Sequence, residues 1–185
     1  MCSRAELPAT AVALLEPLEP GPELVAALTE LARAESLQAR YEAGLSYAER
    51  ALSLAGQLGL PQPARALGWR GAARCSLGDR GGLGDYREAI TLATKAGQGR
   101  EVANLHNNLA AALWPVKGPA ATLVVCQTGI EFAQARGLAE MAERLTVNTV
   151  TTLVETGEHE QALTLAGSLA ARAETSGDLL GLTRG

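Results

Sequence analysis

Residues 100–118 read REVANLHNNLAAALWPVKG. The stretch has the pattern of one amphipathic helix, ended by Pro115 and Gly118. It also holds the densest group of amides in the chain: Asn104, Asn107 and Asn108. Sequence on either side repeats its layout. Four helices end in Ala-x-x-x-Gly, at Ala55/Gly59, Ala93/Gly97, Ala133/Gly137 and Ala173/Gly177, spaced 38, 40 and 40 residues. A second glycine series, Gly78, Gly118 and Gly157, is spaced 40 and 39. Trp69, Asn108 and Asn148 keep spacings of 39 and 40, as do Arg65, Asn104 and Arg144. Independent markers on one period mean stacked helix–turn–helix units, each covering an apolar face that its neighbour exposes.

The rest of the chain fits this frame. Ala and Leu, both strong helix formers, supply most of a 47% hydrophobic content, and no alternating β-branched run points to a sheet. Residues 1–22 form a linker with a partial helix at 8–15, broken by Pro17, Pro20 and Pro22. The repeat domain spans 23–178, with hairpins at about 23–59, 61–97, 100–137 and 138–177, and residues 179–185 start an unfinished helix. Leu24, Leu28, Leu31 and Ala32 form one buried stripe; Tyr41, Leu45, Ala48, Leu52 and Ala55 form the next. LGDRGGLGD (77–85) is expected as a loop, with Asp85 capping the following helix and Glu88 completing a capping box; Tyr86, Ala89, Ile90, Ala93 and Ala96 then face inward. Gly44, Gly68 and Gly71 inside helices imply close helix crossings, because each costs about 0.5–1 kcal/mol against Ala.

GDYREAITLATKA (84–96), NNLAAALW (107–114), GEHEQALTLA (157–166) and YEAGLSYAERALSLA (41–55) resemble tetratricopeptide (TPR) repeats of the longer, roughly 40-residue kind. The resemblance implies an all-α, right-handed superhelix of about four hairpins, with the first helix of each lining a concave surface. PLEPGPELVAALTELAR, LGLPQPARALGWRGAARCSLGD and GQGREVANLHNNLAAALW further resemble the C-terminal repeat region of actinobacterial signalling proteins. Those proteins join a nucleotide cyclase or LuxR-type output to a STAND-type ATPase and a repeat sensor. That resemblance implies a bacterial sensor or scaffold in signalling or transcription regulation, and the unclustered Cys2, Cys75 and Cys126 imply free thiols in a reducing cytoplasm.

Carried over by register, the concave surface includes Arg65, Trp69, Asn104, Asn107, Asn108, Trp114, Arg144 and Asn148. Asn108 and Asn148 fall where TPR families often hold a ligand's backbone, and an amide both donates and accepts. The competing reading gives these amides to inter-helix bonds, the two Trp to packing, and the two Arg to surface salt bridges.

The partner expected is a protein or peptide on the concave face. Homodimerisation through an exposed last repeat, or packing on a parent ATPase or cyclase domain, are the alternatives. A net charge of −4 with scattered arginines argues against nucleic acid and acidic membranes, and no apolar run is long enough to span a bilayer. His106 and His159 lie in different repeats, the three cysteines form no CxxC, and no catalytic, metal-ligating or phosphate-loop motif occurs. No enzyme, metal or cofactor is therefore expected; an enzyme on a helical scaffold would need an enclosed polar pocket around His106.

Overall fold

The structure, a computed structural model, describes residues 6–176. The described residues are helical throughout, with no strand: α1 (Glu6–Leu15), α2 (Pro22–Leu37), α3 (Tyr41–Gln57), α4 (Ala64–Ser76), α5 (Gly82–Lys95), α6 (Gly99–Gln134), α7 (Ala139–Glu155) and α8 (His159–Ser176). Helix α6 is two limbs meeting at Gly118. Consecutive helices pack antiparallel in the order of the chain, and α4 also touches both α2 and α6, the first helices of the hairpins on either side. Residues 179–185 and Gly177 lie outside the described residues.

The glycine series mark the turns. Gly59, Gly78, Gly97, Gly118, Gly137 and Gly157 all have positive φ. At the helix ends the residue after the glycine donates its N–H back to the carbonyl five residues earlier: Leu60 to Ala55 (2.9 Å), Gln98 to Ala93 (2.9 Å), Leu138 to Ala133 (2.9 Å). This is the Schellman closure, which satisfies orphan carbonyls and needs a left-handed residue. At these three ends the Ala-x-x-x-Gly signature is thus a C-cap with a purpose. The alanines are buried at 0–1% exposure where the helices touch, and their carbonyls accept the closing bond. The first mid-hairpin turn does the same without glycine: Ala39 sits at φ 58°, and Arg40 N–H reaches Glu35 carbonyl at 3.0 Å.

Three local expectations are corrected. Helix α5 begins at Gly82, so Asp85 lies in its first turn instead of capping it, and no side-chain cap bond forms there. Asp85 is buried because Arg70 and Arg74 reach across from α4 to its carboxylate. The first limb of α6 also runs on past Trp114 and Pro115. The break comes at Gly118, whose φ of 76° and ψ of −177° only glycine adopts readily. Pro119 then opens the second limb, where its missing N–H is not needed. Ala96 is exposed at the C-cap, not inward-facing.

The helical glycines sit at backbone contacts. A Cβ on Gly71 would lie 2.8 Å from the Gly82 carbonyl oxygen, and one on Gly82 would meet that of Gly71. A Cβ on Gly68 would meet Leu105 Cδ2, and one on Gly44 would meet Ser36 Oγ. The main core joins α4, α5 and both limbs of α6, centred on Leu67, Tyr86, Val102, Leu105, Leu109 and Leu113. A second joins α1 to α4 around Leu24, Leu28, Leu31 and Ala51.

Candidate functional site on the first helices of the hairpins

The eight residues expected on the concave surface do not form one continuous constellation. Arg65, on α4, pairs with Glu30 of α2 at 3.0 Å and lies 4.0 Å from Glu101 of α6, tying three hairpins in a row. Burial pushes the Glu101 carboxyl up, with Arg65 acting against that and Glu30 with it. Arg144 pairs with Glu140 at 3.6 Å, and Glu140 also accepts from Arg100 at 3.1 Å. All four side chains of Arg65, Arg100, Glu140 and Arg144 are about half exposed or more, so each pair is worth about 0–1 kcal/mol and opens at little cost.

The amides divide. Asn148 Nδ2 donates to Asn107 Oδ1 at 2.8 Å, joining α7 to the first limb of α6. Asn107 Nδ2 in turn makes a long 3.4 Å bond to Asn108 Oδ1. Asn107 and Asn148 thus serve an inter-repeat bond, as the structural reading of the amides anticipates. Asn108 stands with Trp69 in the wall of a cavity of about 290 Å³, together with Leu37, Tyr41, Tyr86 and Pro115. Trp114 and Asn148 share a different cavity of about 260 Å³ with Thr122, Thr151 and Glu155. Asn104 is half-buried on the same limb as Asn107 and Asn108.

Sequence reasoning missed the acids. Glu30, Arg65 and Glu101 are spaced 35 and 36 residues apart, off the 39–40 register, so a search for the period passes over them. Arg100 and Glu140 are 40 apart and were open to that search.

His106 lies between the limbs of α6. Its ring centroid is 6.4 Å from that of Phe132, and a Cβ on Gly129 would come within 2.9 Å of its own Cβ. Burial holds its pKa below the usual histidine value, and Nδ1 is buried with no hydrogen-bond partner. Cys75 is half-buried and Cys126 buried; burial is the main cause raising both thiols, which disfavours the nucleophilic thiolate. Among the described residues no group of His, Cys, Asp and Glu could hold a metal ion.

Solved structures supply the comparison. The nearly identical TPR-like repeats of a Podosopora anserina protein described as a kinesin light chain superpose with a TM-score of 0.68 at 14% identity, over 93% of this chain and 86% of that one. BtubC (BKLC) from P. vanneervenii superposes at 0.72 with 18% identity, over 92% of this chain and 72% of that one. The fold is TPR-like. No protein-family model and no curated protein matches the sequence. One described helix, α6, is long and apolar enough by composition to cross a membrane. In the TPR-like stack its limbs fold back on each other instead: Thr122 Oγ1 donates to the Ala110 carbonyl at 3.3 Å across the Gly118 break.

Proposed function

We propose that this chain is a non-catalytic binding module that takes a protein or peptide on the concave face formed by α2, α4, the first limb of α6, and α7. The observation that carries the reading is the cavity shared by Trp69 and Asn108, on neighbouring first helices. Asn108 spends only an acceptor, on a 3.4 Å bond, and keeps its NH2 group for a ligand carbonyl. Trp69, half-buried, offers a flat apolar wall for a ligand side chain. The weak ion pairs of Arg65 and Arg144 at either side exchange readily for acidic groups of a ligand. An extended peptide suits this arrangement, since it needs backbone partners along its length. His106, packed near Phe132, is read as a structural residue and not a catalytic one.

The test compares proteins captured from a lysate by the native chain and by an Asn108→Ala/Asn148→Ala variant, quantified by mass spectrometry. The variant loses a defined subset of partners. Equal recovery of every partner discards the amide face as a binding site.

A second reading rests on the resemblance to actinobacterial signalling proteins. The segment then acts in the cytoplasm as a sensor that packs on an ATPase or cyclase domain and controls it. A natural gene that encodes no such domain beside this segment removes that reading.

A further inference from the structure

A cavity of about 940 Å³, more than three times that at Trp69 and Asn108, lies between the second limb of α6 and helix α8, with α7 as its floor. It shares no lining residue with the cavity of the proposed peptide face. Its apolar surface comes from Leu123, Val124, Leu153 and Leu165. Val124 is 66% exposed. Helices α6 and α8 both pack on α7 and not on each other, so the space between them is a groove along the molecule.

The repeat shows one difference in the floor of this groove. Forty residues before Thr149 and Leu153, the corresponding positions are Leu109 and Leu113, both buried in the main core. Thr149 is shorter than Leu109, and its hydroxyl turns back to the Leu145 carbonyl at 3.0 Å. The floor is therefore lowered at one position.

The two charged residues lining the groove are Glu131 and Glu160, one on each wall. An extended peptide on this floor would lay unpaired N–H and C=O groups against apolar side chains, which is costly. A helix satisfies its own backbone. From Glu160 to Ser168 the groove follows α8 for about 12 Å, roughly two helical turns. We propose that this groove docks an amphipathic helix of a partner protein, with an apolar ridge at i, i+4 and i+7 seated on Leu153 and Leu165, and Lys or Arg flanking the ridge to meet Glu131 and Glu160.

The probe is a labelled synthetic amphipathic helix with a Leu ridge flanked by Lys, measured by fluorescence anisotropy against the full chain at low salt. A second peptide carries Glu in place of each Lys. The Lys peptide binds saturably, and the Glu peptide binds at least about tenfold more weakly. Thr149→Leu rebuilds the earlier floor and weakens the Lys peptide by about tenfold or more. Thr164→Arg adds a cation on an exposed wall position and weakens it likewise, which keeps the test valid if Thr149→Leu does not fold. Asn108→Ala/Asn148→Ala binds the Lys peptide as the native chain does, whether or not the amide face binds a ligand of its own. Undiminished binding by Thr164→Arg, no preference between the peptides, no saturable binding, or loss of binding in the amide variant overturns the proposal. So does a dimer in sedimentation equilibrium that Thr164→Arg dissociates, because a second copy is then the occupant.

Discussion

Replacing Gly71 by Ala sets helix propensity against packing at the crossing of α4 and α5. Inside an exposed helix the change is favourable by about 0.5–1 kcal/mol, because Ala has less chain entropy to lose. At position 71 the added methyl lies 2.8 Å from the Gly82 carbonyl oxygen, 3.1 Å from Asp85 Cβ and 3.3 Å from Tyr86 Cδ2. The nearest atom is backbone and cannot rotate away. Helix α5 must shift, and it carries Tyr86 in the main core and Asp85 in the arginine network. Overpacking of this kind costs roughly 1–3 kcal/mol. At mid-range the cost of about 2 kcal/mol outweighs the propensity gain, and the net loss is about 1 kcal/mol, a fall of about 2–4 °C in melting temperature for a chain of this size. Gly84→Ala is the control: it lies in α5 with nothing within 4 Å, so only the propensity term remains and stability rises. Urea denaturation followed by far-UV circular dichroism measures both. An unchanged slope confirms that the repeats still unfold together. A Gly71→Ala midpoint at or above the native value refutes the close-crossing argument.

Ala39→Gly is expected to stabilise the chain, since Ala39 holds φ 58° where the later turns use glycine. After deducting glycine's added chain entropy, the gain is about 0.5 kcal/mol, read as a higher urea midpoint. Asp85→Asn destabilises: the carboxylate accepts from Arg70 at 2.8 and 3.0 Å and from Arg74 at 3.0 and 3.1 Å. The arginines are about a quarter exposed, so the loss is set at about 1–3 kcal/mol, below that of a fully buried pair, and thermal melts check it. His106 sets a pH dependence. Its folded pKa is below the unfolded value of 6.5, so the unfolded chain takes up the proton first. Its stability contribution is complete above 6.5 and is lost as the pH falls from there through the folded pKa, by up to about 1.4 kcal/mol per pH unit. Melting the native chain and His106→Leu between neutral and mildly acid pH isolates the effect, because the variant lacks this component of the slope.

The site was legible only in part. Register alone placed Trp69 and Asn108 on adjacent first helices, and the fold sets them in one cavity. Register also paired Asn108 with Asn148 as equivalents. In space Asn148 bonds Asn107, one residue off that pairing. The Glu30–Arg65–Glu101 row follows the neighbour geometry of the helices and not the chain period, which hides it from any periodic reading.

The sequence by itself determined the glycine turns and the all-α class. These depend on local chemistry: a glycine that can take positive φ, a buried alanine five residues before the closing N–H, and apolar residues at helical spacing. Tertiary structure alone decided what Asp85 does, since its arginine partners lie 15 and 11 residues away on another helix. It alone set the groove beside α8, whose floor carries Thr149 where the preceding repeat has a core leucine. Local conformation is written in neighbouring residues, whereas cavities and buried charges belong to surfaces that meet only when the hairpins stack.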